Sequence, residues 1–192
     1  MPNYAYTSHH ISGDEKEIKM LHDIMNRVIN HPDAFIRDAE YYGRMSFRHF
    51  LEELCEEVPA IDLRGQICHF ELDSEKALWI STESAWRAPF ELHNLIRHRF
   101  PSLKILYFTD PDDDGVMETN DVNGEVFRTR YGIATEYMDE EFFDTIAEAC
   151  QWAKHNLGIE ANNLPELHNA LLDYEEENNT YASLHECLLD MD

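Results

Sequence analysis

Positive charge and long apolar runs are what this sequence has least of. Its 192 residues contain 15 lysines and arginines against 39 acidic residues, which sets a formal charge of −24 at pH 7. Such a surface repels phosphate backbones and anionic lipids, so we expect neither direct nucleic-acid binding nor membrane association. No run of apolar residues approaches the roughly 20 that a membrane-spanning helix needs.

Cysteine is scarce as well, and its spacing argues against a disulfide framework. The four cysteines are widely spaced, with no C-x-x-C pair, at Cys55, Cys68, Cys150 and Cys187. The N-terminal stretch MPNYAYTSHHISGDEKE lacks a basic region followed by an apolar one, so no secretory signal is predicted. We therefore expect a cytoplasmic protein whose cysteines are reduced and fill small spaces in the core.

The N-terminal half of the sequence alternates strand and helix patterns. Apolar alternation predicts strands over residues 4–11, 66–73, 77–83 and 103–108. Helices are predicted to begin at Asp14, where Glu17 stands at capping-box spacing, at Ser46 and at Pro89. The order strand–helix–strand–strand–helix–strand is the ferredoxin-like βαββαβ arrangement.

The remaining sequence predicts two more strands and then helices. VMETND and EVFRTRYGIA are expected to widen the sheet as a β-meander. From Glu136 onward the pattern is helical, with a last short helix predicted at Ser183, and this stretch holds fifteen acidic residues against one basic residue. We thus predict an α+β protein: a ferredoxin-like domain over residues 1–135 and an acidic helical C-terminal extension over residues 136–192, packed on or beside it.

The segment DPDDDGVMETND has the spacing of a calcium-binding loop. Asp110, Asp112, Asp114 and Gly115 match the opening of an EF-hand loop, and Asp121 stands at its twelfth position. Carboxylate oxygens at alternate positions are the hard ligands that calcium prefers. Because the flanks are predicted strands rather than helices, a solvated acidic turn is the alternative interpretation.

Histidine is frequent, but its spacing predicts no shared metal site. His9 and His10 are adjacent in a predicted strand, so their side chains point to opposite faces. His93 and His98 are five residues apart, which misses the spacing that places two ligands on one helical face. Surface or half-buried histidines without a metal are therefore expected.

The stretch STESAWRAPFELHN combines charged and aromatic side chains at a strand-to-helix corner. A carboxylate at Glu83 beside the indole of Trp86 could hold a cation or an amine-bearing ligand, and Arg87 could pair with Glu83 or with an anion. The alternative is structural: Trp86 covers the end of the core, while Glu83 binds the backbone or caps the following helix.

Several stretches resemble one known family. MPNYAYTSHHISGDEKEI, WISTESAWRAPFEL, FPSLKILYF and ETNDVNGEVFRTRYGI are similar to the YubB-type ferredoxin-like domain of plasmid, phage and conjugative-element proteins. The resemblance covers Asn3–Ile133, and its most specific part is the run Thr82, Glu83, Ala85, Trp86 and Pro89. The chain departs from the family pattern at Tyr4, where tryptophan is frequent, and in the acidic segment TDPDDDG. The resemblance implies the fold and no particular reaction.

The sequence offers no persuasive catalytic set, so we expect a binding protein rather than an enzyme. The resemblance implies a cytoplasmic accessory or interaction protein of a mobile genetic element. The charge fits either a solvated surface that keeps the protein soluble or a contact with a basic protein partner. One alternative is an acidic DNA mimic or inhibitor of a basic nucleic-acid-handling protein. Another is a small-ligand binder or enzyme that uses the Glu83/Trp86 corner. Apart from calcium, no cofactor is expected.

Overall fold

The computed structural model describes residues 4–31, 45–55, 57, 63–111 and 116–190. These ranges contain five helices and nine strands, so the predicted mixture of helix and strand is confirmed. The chain divides into two compact units, Met1–Gly115 and Val116–Asp192. The boundary between the units, after Gly115, lies earlier in the chain than the predicted boundary after residue 135. Within the described ranges, no helix is long and apolar enough to cross a membrane.

The N-terminal unit is a four-stranded antiparallel sheet with three helices. Its elements are β1 (Tyr4–Ser12), α1 (Glu15–Asn30), α2 (Phe47–Leu54), β2 (Gly65–Ser74), β3 (Ala77–Ala85), α3 (Phe90–Arg99) and β4 (Lys104–Pro111). The strands lie in the order β2-β3-β1-β4, and every neighbouring pair is antiparallel. The central strand β1 therefore pairs with β3 on one side and with β4 on the other.

The predicted amphipathic helices of this unit form as expected. The Asp14 carboxylate accepts the backbone N–H groups of Lys16 and Glu17, which caps α1. Glu17 does not complete a capping box, because its carboxylate accepts the N–H and hydroxyl of Ser102 instead. Ser46 caps α2 through the N–H of His49.

One apolar cluster forms the core of the N-terminal unit. It is made of the inward stripes of the three helices together with alternating residues of the strands. Its fully buried members include Ile11, Ile18, Leu21, Met25, Phe47, Phe50, Leu78 and Ile105. In α1 and α2 the buried residues recur with the 3.6-residue period of an amphipathic helix.

The C-terminal unit contains two helices and five strands in its described residues. The elements are β5 (Glu118–Thr119), β6 (Tyr131–Thr135), β7 (Met138–Phe143), α4 (Ile146–Asn156), α5 (Leu164–Asn178), β8 (Ala182–Glu186) and β9 (Leu188–Leu189). An antiparallel sheet runs in the order β7-β6-β8, and β5 pairs in parallel with β9. Its core is a second apolar cluster with Ile133, Ala149, Ala153, Leu167 and Leu171 at the centre.

The prediction that only helices follow Glu136 is wrong. β7 pairs with β6 as a hairpin, and α4 starts only after Thr145, which forms a capping box with Glu148. The spacing of Ser183 and Glu186 resembles a helix start, yet both residues belong to β8. Pairing with β6 buries Ala182, and this tertiary gain overrides the local helical signal.

The predicted meander is also corrected at its far end. Of the predicted strand EVFRTRYGIA, only residues 131–134 are strand, and they belong to β6 at the centre of the three-stranded sheet. The preceding residues form a loop, because the Asp121 carboxylate and the Arg130 guanidinium bind its backbone groups.

Candidate functional site

The predicted corner lies where β3 ends and α3 begins. Glu83 is half-buried in β3, opposite Tyr6 of β1 and Gln66 of β2. Trp86 follows at φ 77°, in the left-handed region that a bulky residue rarely adopts. Its side chain is 59% exposed. The Arg87 guanidinium lies 5.3 Å from the centroid of the Phe90 ring.

This geometry differs from the structural alternative considered for the corner. An indole that is mostly exposed does not cover the core, and no side chain caps the N-terminus of α3, so Glu83 is not its cap. The Ser84 hydroxyl instead holds the turn by donating to the carbonyl oxygen of Arg87 at 2.7 Å. The corner therefore presents an accessible aromatic face on a strained backbone, which is a feature associated with binding sites.

The predicted calcium ligands are only partly within the described residues. Asp112 and Asp114 lie outside them, and Asp110 is in β4 opposite Tyr6. Asp121 is 2% exposed. Among the described residues, no group of three or more potential ligands could hold a metal ion. Calcium binding stays a prediction.

The Asp121 carboxylate organises the loop that precedes β6. Its oxygens accept the backbone N–H groups of Glu125 at 3.0 Å, Val126 at 2.7 Å and Phe127 at 2.8 Å. Burial acts to raise the pKa of Asp121, but these three bonds and the Arg130 charge outweigh it, and the pKa is lowered. The Asp121 charge is thus already compensated by the loop itself.

A buried histidine pair lies inside the N-terminal unit, and sequence reasoning missed it. His9 of β1 and His93 of α3 are each 2% exposed, and His9 Nδ1 lies 3.1 Å from His93 Nε2. The other ring nitrogen of His9 lies 3.0 Å from the Thr82 hydroxyl. A second buried contact joins the hydroxyls of Thr7 and Thr109 at 3.0 Å.

Burial and the neighbouring His93 charge hold the pKa of His9 well below its usual value. His9 is therefore neutral at physiological pH. Because the pair is closed to solvent, we assign it to the polar interior of this unit rather than to a reaction. The available signal was the pattern of β1, in which Thr7 and His9 stand on the same inward face as Ala5 and Ile11.

A second hydrogen-bonded chain lies on the outward face of the sheet β7-β6-β8. Glu140 Oε1 lies 2.7 Å from His185 Nδ1, and His185 Nε2 lies 3.0 Å from Ser183 Oγ. The Tyr181 hydroxyl lies 2.7 Å from the same Ser183 oxygen. Sequence reasoning missed this chain, because its two β8 members were assigned to a helix, where residues two apart do not share a face.

An open cleft of about 470 Å³ lies beside the start of α4. Its lining is aromatic and acidic, with Phe142, Phe143, Asp144, Glu148, Gln151, Trp152, His155 and Asn156. Glu148 is already engaged by the Thr145 hydroxyl and backbone N–H in the α4 cap. The cleft is also wide open to solvent, so it is a shallow surface groove rather than an enclosed ligand site.

None of the four cysteines is an activated thiolate. Burial raises the pKa of Cys55, Cys68 and Cys150, and it raises that of Cys187 to about 11. All four are free thiols. Nucleophilic cysteine chemistry is thus disfavoured in this protein.

Comparison with known proteins assigns no family to the chain. No family model matches it, and no curated protein matches it significantly. Among solved structures, an unknown protein from Galdieria sulphuraria is similar over 97% of this chain and 99% of that chain, with 10% identity and a TM-score of 0.27. At this TM-score the likeness carries no argument about fold or function.

Proposed function

We propose that this protein is a binding protein whose C-terminal unit offers an acidic surface to a basic protein partner. The observation that carries the proposal is the last turn of α5. Glu175, Glu176 and Glu177 lie there, and the turn contains no basic residue. The helix macrodipole places partial negative charge at this end, so each carboxylate destabilises the helix by about 0.3–1 kcal/mol.

This unfavourable arrangement has no compensation within the described residues. Glu176 and Glu177 are exposed, and none of the ion pairs in the described ranges includes them. A positively charged surface docked against this turn would relieve both the like-charge repulsion and the unfavourable dipole interaction. A local rule that is broken without a local gain is where a functional constraint is expected.

The class of partner follows from charge complementarity. A surface rich in lysine and arginine is the complement of the acidic turn, whereas nucleic acid would be repelled by it. Proteins that handle nucleic acids carry such surfaces, so a DNA-mimic role is one form of this function. The resemblance to the YubB-type family supports its setting, a cytoplasmic accessory protein of a mobile genetic element.

We also propose that the N-terminal unit is a ferredoxin-like domain of the YubB type. The support is its strand order, β2-β3-β1-β4 with antiparallel neighbours, together with α1 between β1 and β2 and α3 between β3 and β4. Helix α2 is an addition to that plan. The strained Trp86 corner, part of the run that resembles the family, lies within this unit.

Two variants of equal charge test the acidic-surface proposal. One replaces Glu175, Glu176 and Glu177 with glutamine, and its matched control neutralises three exposed acids of the N-terminal unit, by Glu71→Gln, Asp73→Asn and Glu75→Gln. Each protein is immobilised on a resin and incubated with host extract at low and at high salt. The captured proteins are then identified by mass spectrometry. We expect a basic protein that the wild type and the control retain, that the α5 variant loses, and that high salt releases.

Capture of the same basic protein by the α5 variant would contradict the assignment to α5. Retention in high salt would contradict an electrostatic contact. Added duplex DNA then separates the two forms of the function, because a DNA mimic and DNA compete for one site on the partner while an ordinary acidic binder does not compete.

A second candidate function is ligand binding at the β3–α3 corner. The observation that favours it is the exposed indole of Trp86 held at positive φ, three residues from the Glu83 carboxylate. An amine-bearing ligand would stack on the indole and pair with the carboxylate. Titration with a polyamine should quench Trp86 fluorescence in the wild type and not in Glu83→Gln. Equal quenching in both would remove this candidate.

A further inference from the structure

The hydrogen bonds on the outward face of β7-β6-β8 have the connectivity of a nucleophile, a base and an orienting carboxylate. Ser183 contacts the Nε2 atom of His185, and Glu140 contacts the Nδ1 atom. Each partner thus takes a different ring nitrogen, which is the arrangement that activates a serine in acyl transfer. We propose that Ser183 is a nucleophile, activated by His185 and Glu140, that attacks neutral or cationic esters.

The carboxylate determines which nitrogen of His185 carries the proton. An ionised Glu140 can only accept a hydrogen bond, so Nδ1 is the protonated nitrogen of the neutral ring. Nε2 is then left as an acceptor, facing the Ser183 hydroxyl at 3.0 Å. The Tyr181 hydroxyl lies 2.7 Å from Ser183 Oγ, where it can donate a hydrogen bond that stabilises the negative charge on this oxygen as its proton leaves.

Gly132 makes the contact between β7 and β8 possible. It lies in β6, the strand between them, opposite His185 on one side and Phe142 on the other. A β-carbon at this position would lie 2.4 Å from Glu140 Oε1. The missing side chain is therefore the space through which Glu140 reaches across one strand to His185.

The chain of groups is accessible from the surface, unlike the histidine pair of the N-terminal unit. The His185 and Glu140 side chains are 30% and 23% exposed, and Tyr181 is exposed. From Glu136 onward the chain holds fifteen acidic residues against one basic residue. This excess of negative charge repels phosphate and carboxylate substrates, which favours esters that are uncharged or positively charged.

The first step forms one bond and moves one proton. Ser183 Oγ adds to the ester carbonyl carbon while its proton passes to His185 Nε2. The carbon–oxygen bond to the leaving alcohol then breaks, and Nε2 returns the proton to that alcohol. Water repeats the same two movements on the acyl-serine, releasing the acid and restoring Ser183.

The test uses the full chain with a fluorophosphonate probe and with p-nitrophenyl acetate. The probe modifies an activated serine with loss of fluoride, and peptide mass spectrometry identifies the residue. We expect labelling at Ser183, a loss of about 100-fold or more in His185→Gln, and a smaller loss in Gly132→Ala, where only the tip of the flexible Glu140 side chain is displaced. The matched controls His155→Gln and Glu141→Gln should label at the wild-type rate.

Glu140 is a positioning residue, so its test separates turnover from binding. In Glu140→Gln, the amide can donate to Nδ1 and place the ring proton on Nε2, which then cannot accept from Ser183. We expect this variant to lower kcat for p-nitrophenyl acetate while KM stays within about twofold. An unmodified Ser183 in the folded protein would overturn the proposal, as would ester hydrolysis that is equal in wild type and Ser183→Ala.

Discussion

The N-terminal unit places two histidines in its interior, whereas the C-terminal unit places His185 on an outward sheet face. His9 contacts another histidine and a threonine hydroxyl, and it is closed to water. His185 contacts a carboxylate and a serine, and it is partly open to water. A hydrogen-bonded histidine therefore indicates a reaction only where substrate can reach it and a carboxylate orients it.

Removing one histidine from each unit should give the largest difference in stability cost between the two units. His93→Leu takes the partner from a buried ring nitrogen of His9, and we expect it to cost the N-terminal unit about 3 kcal/mol. His185→Leu leaves partners that water can reach, so its cost should stay below about 1 kcal/mol. Hydrogen exchange resolved for each unit measures both. Equal costs would contradict the assignment of the two environments.

Acid should destabilise the N-terminal unit through His9. Because the pKa of folded His9 lies well below 6.5, stability is fully present above pH 6.5, where both states are neutral. Below it the unfolded chain takes up a proton that the folded chain refuses, which removes up to about 1.4 kcal/mol per pH unit until the folded pKa is reached.

Denaturant unfolding at a series of pH values checks this dependence. His9→Gln should flatten the loss, while His98→Gln, at an exposed position of α3, should leave it unchanged. A level profile below pH 6.5 in the wild type would contradict a neutral, buried His9.

The threonine contact in the N-terminal unit should show the cost of an unmatched buried hydroxyl. Thr7→Val or Thr109→Val alone leaves the other hydroxyl buried without this hydrogen bond. We expect each single variant to lower the free energy of unfolding by about 1 kcal/mol. The double variant replaces both hydroxyls with methyl groups of similar shape and should recover most of that loss. A double-mutant cycle in denaturant measures the coupling, and additive losses would show that the two hydroxyls do not depend on each other.

Gly132→Ala should change stability least of these variants, yet it should remove the contact on which the proposed reaction depends. Its β-carbon meets the end of a flexible side chain, so we expect a stability change below about 0.5 kcal/mol. The bond between Glu140 and His185 should nevertheless be lost, which the His185 ring-proton NMR signal reports. A signal like that of the wild type would show that Glu140 reaches His185 by another route.

The elements of the N-terminal unit could be predicted because local and tertiary signals agree there. The caps at Asp14 and Ser46 precede apolar stripes that the structure buries, and alternation in β1 predicts which of its residues face inward. The C-terminal unit could not be predicted in the same way. Ser183 begins a helix-like pattern, but pairing with β6 decides its conformation, and partners far apart in sequence leave no local trace.

The histidine contacts show the same limit for the sites. Sequence spacing compared His93 with His98 on one helix, whereas its actual partner, His9, comes from a strand 84 positions earlier. Likewise, Glu140 and His185 are 45 positions apart. Only the inward placement of His9 and the pairing of Gly132 bring these groups together, and both depend on sheet register.

Trp86 also affects how variants of this protein will behave under selection. Glycine at this position would release the strain of the left-handed backbone, by roughly 1 kcal/mol. A library screened for heat resistance should therefore replace this tryptophan early, while the same library screened for retention of a ligand at the corner should keep it. The residue at this one position would show which pressure shaped the chain.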